Sequence, residues 1–573
     1  MYLRRCKRTR GENQHAYWAL VESQRTAQGP RQRVVAYLGD IEEAERLGVK
    51  ATAECATFRQ GNLFGEPDPV PVRIDPDRVY VERARQFGGA WLGLELLDKL
   101  GLREFVEKTM PCGREEVPWS MMVFILVLAR LLDASSELSI AEHFYSRSSL
   151  ADLLGVPESK INDDRLYRAL DALLPHKAEL ETYLTEKMGD LFGIEYDILL
   201  YDVTSTYFEG GAKLNEQAKL GYSRDHRPDC RQVCIALVVS RSGIPLGYEV
   251  FDGSRTDVTT VKEIVEMIEG RYGAADRIWV MDRGMISEDN LEFLKENGRR
   301  YILGTPKATL KKFEQELLSK DWQTIHEGLE VRLCPSPDGA ETFILCRSEQ
   351  RREKEKAIHS RFEKRIEAGL TSLADSCLKK KHLPGTVERQ VGRLLGANSR
   401  AQSLFKVVVN KNEDGSAFIE WEKLKAWQEW AQLSEGCYLL RSNVKDWSAK
   451  DLWEAYIQLT QAEAAFRIQK SDLHIRPIWH QKKERVHAHI LVCFLAYVLW
   501  KTLAQLCSRA GLGDEPRKVL DEIKTIMMVD VVIPTIQGPV IRKRCIAKPE
   551  KHQALLLQMM KLTLPESLRI HEM

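Results

Sequence analysis

The sequence predicts an α/β chain centred on a mixed sheet in the order β-β-β-α-β, with a basic β-rich arm and a helical block before it and helices after it. Three observations predict this: four strand-like segments around one amphipathic helix between Asp197 and Gly284, a helical pattern from Arg83 to Phe192, and a globular composition of 44% hydrophobic and 29% charged residues. At about 150 residues per domain, 573 residues make roughly three or four domains.

The elements follow in order. Residues 4–33 carry eight Lys or Arg against two acids, Glu12 and Glu22, and "PRQRVVAYLGD" reads as a strand. This is a basic β-rich arm over 1–64, either a solvated edge or a DNA contact. "GEPDPVPVRIDPD" (Gly65 to Asp77) is rich in Pro and Asp and reads as a linker. Residues 78–192 form a helical domain, on the apolar spacing of "AWLGLELLDKLGLREFV" and the N-cap in "NDDRLYRALDALL". It binds DNA or merely packs; the residues leave both open.

Several function classes fall away early. The apolar runs from Trp119 and His489 are shorter than the roughly 20 residues of a membrane span and are bounded by Arg130 and Lys501, so they read as core helices. "MYLRRCKRTR" has no apolar stretch behind its charges, so a cytoplasmic protein is expected. With a net charge of +1, a nucleic-acid partner must be met by local basic surface. Of twelve cysteines only Cys230 and Cys234 lie close together; without a second pair they read as core residues rather than zinc ligands.

The central series occupies 193–305. "DILLYDVTSTYF" is a strand, "QVCIALVVSRSGIPLGYEVFDG" two strands joined at Arg241 to Gly243, "DVTTVKEIVEMIEGRYG" an amphipathic helix capped by Thr or Asp, and "DRIWVMDRG" a short buried strand. Asp202 lies in the first strand and Asp282 ends the fourth. A lone carboxylate there is ordinarily capped or salt-bridged. Two of them on strands of one sheet repel unless a divalent cation lies between, and hard cations such as magnesium prefer oxygen ligands.

Residues 306–448 mix strand-like pieces with a charged stretch. From Arg351 to Arg400 thirteen Lys or Arg face six acids, which reads equally as a solvated helix face or a phosphate-binding surface. Trp421, Trp427 and Trp430 have helical spacing, which favours core packing. In 449–510, Tyr456, Glu463, Arg467 and Lys470 recur at spacings of seven, four and three, one face of a helix. Alone, Glu463 and Arg467 would be an ordinary i,i+4 ion pair. His487 and His489, two apart on a helix, point different ways and read as structural. Residues 511–573 are a C-terminal region.

The spacing Tyr456, Leu459, Glu463, Lys470 resembles the YREK signature of the insertion-sequence-four group of DDE transposases, from bacterial insertion sequences. "YDVTSTYFEG", "GYSRDHRPDCRQ", "GIPLGYEVFDGSRTD", "VMDRGMIS" and "SDLHIRPIWHQKKERVHAHILVCFLAY" resemble that group's blocks in order from Tyr201 to Tyr497. Leu459 departs from the signature, which has arginine there, and so removes one phosphate-contacting candidate.

The resemblance implies a ribonuclease-H-like core in two parts, 193–305 and 449–510, interrupted by a β-rich insertion domain at 306–448. It implies Asp202, Asp282 and Glu463 as a triad holding Mg²⁺, with Mn²⁺ able to substitute. The substrates would be double-stranded DNA, transposon ends and a target, worked on by a homodimer. Tyr456, Arg467 and Lys470 become expected DNA contacts, with Arg224 and Arg227 of "GYSRDHRPD" equally a DNA contact or a surface loop. A non-transposing nuclease of the same fold and a catalytically silent DNA-binding repressor are the alternatives; a repeat protein is excluded by the absence of any internal period.

Overall fold

A computed structural model describes residues 2–10, 13–26, 29–39, 74–274, 276–536 and 540–565. The chain forms two compact units, one from Met1–Lys99, Pro111–Arg168 and Leu503–Met573, the other from Leu100–Met110 and Ala169–Thr502.

In the first unit, β1 (Tyr2–Arg10), β2 (Asn13–Thr26) and β3 (Gly29–Gly39) form an antiparallel sheet, which is the backbone of the expected arm. The rest of that arm and most of the expected linker fall outside the described residues. β4 (Tyr80–Gln86) precedes a helical layer whose longest buried member is Trp119–Leu132.

The second unit holds the central sheet. β5 (Ile198–Tyr207), β6 (Gln232–Ser240) and β7 (Pro245–Asp252) form an antiparallel meander. Gly243, at φ +76°, makes the β6–β7 turn that a side chain would resist. The Val261–Tyr272 helix buries Val261, Ile264, Val265 and Ile268, the i, i+3, i+4, i+7 stripe of an amphipathic helix. Thr260 stands at its N-cap position, yet its hydroxyl donates to the Asp257 carbonyl and meets the Tyr201 hydroxyl instead of capping the helix. β8 (Ile278–Met281) then runs parallel beside β5, and β9 (Arg300–Gly304) parallel beside β8. The expected β-β-β-α-β order is present, laid out in space as β7-β6-β5-β8-β9.

The interval 306–448 differs from a separate β-rich domain. β10 (Gln323–His326), β11 (Leu329–Pro335), β12 (Thr342–Ser348) and β15 (Cys437–Ser442) continue the same sheet beyond β9, giving nine strands. Between β12 and β15 stand a 31-residue helix, Glu349–Lys379, the Pro384–Ala397 helix and the hairpin of β13 (Phe405–Lys411) and β14 (Ala417–Lys423), packed around Ile366, Leu370 and Val387. The β9 edge was open to pairing, and β15 closes it through Leu440 to Ser442.

The helical domain expected at 78–192 is likewise divided. Lys177–Phe192 belongs with the second unit: Lys177 donates to the Tyr248 carbonyl at 2.7 Å and Leu180, Leu184 and Met188 are buried. Lys483–Arg509 is long and apolar enough to cross a membrane, but 94% of its apolar window is buried inside the fold, as is Trp119–Leu132. In the first unit, β16 (Met527–Ile533) and β17 (Ile541–Ile546) complete a three-stranded sheet with β4.

Candidate active site

Strand parity sets the site. Leu199, Tyr201 and Val203 of β5 and Trp279 and Met281 of β8 enter the core under the Val261–Tyr272 helix. Asp202 and Asp282 therefore face the other side of the sheet. Because Tyr201 pairs with Met281, the two aspartates follow at neighbouring positions where parallel strands end, the edge at which α/β sheets place ligands. Asp202 is half-buried; Asp282, one residue past its strand, is exposed, so only one of the two carboxylates is desolvated.

The third carboxylate arrives on a helix. Thr460–Ser471 packs on β5 and β6 through Ala462, Ala465, Phe466 and Gln469, and its two alanines let it lie close to the sheet. Glu463 and Arg467 remain exposed on its flank, and no ion pair joins them among the described residues. The single helix face expected from Tyr456 to Lys470 is broken at Gln458–Leu459, where the chain leaves Ala449–Ile457 and restarts. Ser448 and Asp451 fix the start of the first of these helices with a reciprocal capping box.

Burial pushes the Asp202 carboxyl up to about 7; the charges of Glu463 and Asp257 add to this, while the Val203 N–H, donating to Oδ1 at 2.8 Å, and Arg224 oppose it. Asp202 thus lies near two negative groups, Glu463 and Asp257, and one guanidinium, Arg224, with burial the largest influence on it. Asp257 was not singled out from the sequence. It sits on the turn after β7, ion-paired to Arg224, and its Oδ2 lies 3.5 Å from where a Gly284 side chain would begin. In the sequence it is legible only as the Asp of "DVTTVKEIVEMIEGRYG", a candidate helix cap, which carries no signal of a place near Asp202.

Tyr456 serves Asp282. Its hydroxyl donates to Asp282 Oδ1 at 3.4 Å, and burial, then the Asp282 charge, raises its pKa. Gly304 makes room: a Cβ there would run into the Tyr456 hydroxyl. Leu459 is 7% exposed, so the signature's arginine position points into the core of this chain.

The remaining expected DNA contacts are engaged within the protein. Lys470 donates to Asp225 Oδ1 at 2.9 Å and Arg476 pairs with the same oxygen at 2.7 Å; Asp225 is 3% exposed and its Oδ2 has no partner. Arg227 pairs with Glu209 at 3.1 Å and with Asp229 at 3.0 Å, over the Tyr207 ring. Arg467, also expected as a DNA contact, is the exception: it is exposed one turn after Glu463 and has no ion pair among the described residues. His487 meets the Gln217 Oε1 at 2.6 Å and His489 the Ile475 carbonyl at 3.2 Å.

Three families match the chain: Transposase DDE domain over residues 193–499, IS1634 family transposase, N-terminal domain, over 3–58, and a domain of unknown function (DUF4277) over 92–185. No curated protein matches. Among solved structures the chain is similar to a piggyBac transposase synaptic complex with hairpin DNA, at 10% identity over 79% of this chain and 82% of that one, with a TM-score of 0.35. That likeness is too loose to define shared structure. The DDE match spans 307 of 573 residues, including the sheet, both aspartates and Glu463. With more than half its length in that family and an insertion-sequence N-terminal domain before it, this chain belongs to the DDE transposases of insertion sequences.

Proposed function

We propose that this chain is a metal-dependent DNA transposase with a ribonuclease-H-like core, cutting transposon ends and joining the freed 3′-hydroxyl to target DNA, with Asp202, Asp282 and Glu463 as its catalytic carboxylates. The observation that carries the reading is the convergence of Glu463, brought by a distant helix, on the desolvated Asp202. The strand layout β7-β6-β5-β8-β9 supports the core assignment.

The donors suit a hard divalent cation: all are carboxylate oxygens, and a carboxyl raised to about 7 by burial and like charge is one that a cation would return to its ionised form. Bound Mg²⁺, or Mn²⁺ in its place, would supply Lewis acidity, lowering the pKa of the attacking water and stabilising the leaving 3′ oxygen. The chain's own residues do the rest. Asp202 on β5, Glu463 on the helix packed against that strand and Asp282 at the end of the neighbouring strand would hold the cation. The Tyr456 hydroxyl donates to Asp282 Oδ1 at 3.4 Å and tethers that carboxylate at the end of β8. Arg467, exposed one turn after Glu463, neutralises phosphate charge. No covalent protein intermediate is required.

The partner is double-stranded DNA, the terminal repeats of the element and a target, and pairing two ends in one event calls for a homodimer. Such a protein works in the cytoplasm, at the nucleoid when DNA-bound. The test incubates the chain with Mg²⁺ and a labelled duplex carrying the DNA that flanks its own gene, beside Asp202→Asn. Cleavage at one phosphodiester and joining to a second duplex, absent from the variant, is expected. Cleavage without joining would assign a nuclease, and binding without cleavage under either metal a repressor.

A further inference from the structure

Within the second unit, a cavity of about 980 Å³ opens between the start of the Glu349–Lys379 helix and the Lys425–Ser434 helix. Its wall includes Arg283, Lys307, Arg351, Lys354, Arg400 and Trp427. A smaller cavity that contains Asp282 and Tyr456 shares Arg283, Lys307 and Arg351 with it, so the two adjoin.

The charges along the long helix divide into two groups. Arg351 and Lys307 share Glu355, and Lys423 takes up both Glu363 and Glu367. Those acids are then spent. Arg361, Arg365 and Arg400 have no carboxylate partner among the described residues, yet all three guanidinium groups gather over one ring, Phe362, at 5.5, 5.9 and 6.0 Å. Lys354 and Arg283 have no ion-pair partner among the described residues either. Like charges collected in this way repel, and one ring offsets little of that.

Arg351, Lys354, Arg361 and Arg365 also share a helix face, at offsets of 0, 3, 10 and 14 residues. That stripe is about 21 Å long at ~1.5 Å per residue, the span of about six phosphates on one DNA strand at ~3.4 Å each. We infer that this stripe, ending in the Arg361, Arg365 and Arg400 cluster, is a track for the phosphate backbone of duplex DNA flanking the bond that is cut. The inference rests on the transposase reading and adds a second binding site to it, on the interval between the two parts of the core.

The test measures duplex affinity of the full chain across a series of KCl concentrations by fluorescence anisotropy. Arg361→Gln/Arg365→Gln/Arg400→Gln should make the slope of log affinity against log salt shallower by about 2 to 3, at ~0.9 per phosphate contact. Arg352→Gln/Lys356→Gln/Lys364→Gln removes three charges from other faces of the same helix and should leave the slope unchanged. Equal effects of the two triple variants, or none from the first, would overturn the track. If the first variant does not fold by circular dichroism, Arg400→Gln alone should make the slope shallower by about 1, and no change there overturns it. Cleavage by the parent chain is scored separately: a protein that never cuts but shows the slope difference would keep the track and lose the transposase reading.

Discussion

Removing the Asp202 carboxylate should stabilise the metal-free protein, by an amount that grows as pH rises above about 4 and is full above about 7. In the folded chain this carboxyl titrates near 7, against an ordinary value of 3.8, with burial as the first cause. The folded state therefore binds the proton more tightly than the unfolded state. Its stability falls as pH rises from about 4 and levels off above about 7. A difference of about three pH units is worth at most about 4 kcal/mol at ~1.36 kcal/mol each. Asp202 is half-buried and partly solvated, which brings the expected figure to about 2 kcal/mol. Asp202→Asn keeps the shape without the charge, so at pH 8 in chelator it should melt about 2–4 °C above the parent, the shift that ~2 kcal/mol makes in a unit of this size. At pH 3.5, below both values, the two should melt nearly together, and at pH 5 somewhat over a third of the gain should remain. Mg²⁺ at pH 8 should raise the parent and leave the variant nearly unmoved, since binding to the folded state alone stabilises it. Differential scanning calorimetry at pH 3.5 and pH 8, with and without metal, reads all four conditions. A variant less stable than its parent at pH 8, a gain equal at both pH values, or equal stabilisation of both proteins by Mg²⁺ would refute the reasoning.

Other perturbations follow from single contacts. Gly304→Ala drives a methyl group into the Tyr456 hydroxyl and to 3.2 Å from the Arg283 N–H; it should slow single-turnover cleavage at least as much as Tyr456→Phe, which loses one hydrogen bond and about 3–10-fold in rate. Asp225→Asn leaves Lys470 and Arg476 without their shared charge and should cost about 2–4 kcal/mol in urea unfolding of the second unit; adding Lys470→Met should recover part of it, and strictly additive losses would show that the pair is not coupled. Leu459→Arg, which restores the signature, should destabilise by about 2–4 kcal/mol without raising the cleavage rate, because the side chain it replaces is buried; a faster enzyme would place that position in the DNA site.

What could be read in the chain itself was local pattern and ordered motifs. Apolar runs of strand length and one amphipathic stripe defined the β-β-β-α-β series, because period and turn chemistry act over a few residues. The same reading singled out Asp202, Asp282 and Glu463, since a carboxylate in an apolar strand and an acid in a spaced signature are visible without coordinates. The position of Tyr456 was legible too, but its partner was not: its hydroxyl meets Asp282.

Pairing between distant segments belonged to the tertiary structure. Four strands of the presumed insertion became edge extensions of the core sheet, because β9 had a free edge and nothing within a strand names the strand it will join. Parity told that Asp282 follows a buried strand, yet only the fold left it exposed while Asp202 became half-buried. Ion-pair choice was hidden for the same reason. Lys470 met Asp225, 245 residues away, and Arg224 met Asp257, since a charged side chain pairs with whichever opposite charge the packing leaves nearby. Local sequence thus set which groups are candidates for the proposed chemistry, and packing between remote elements decided which of them are buried, which are ion-paired and which are left exposed.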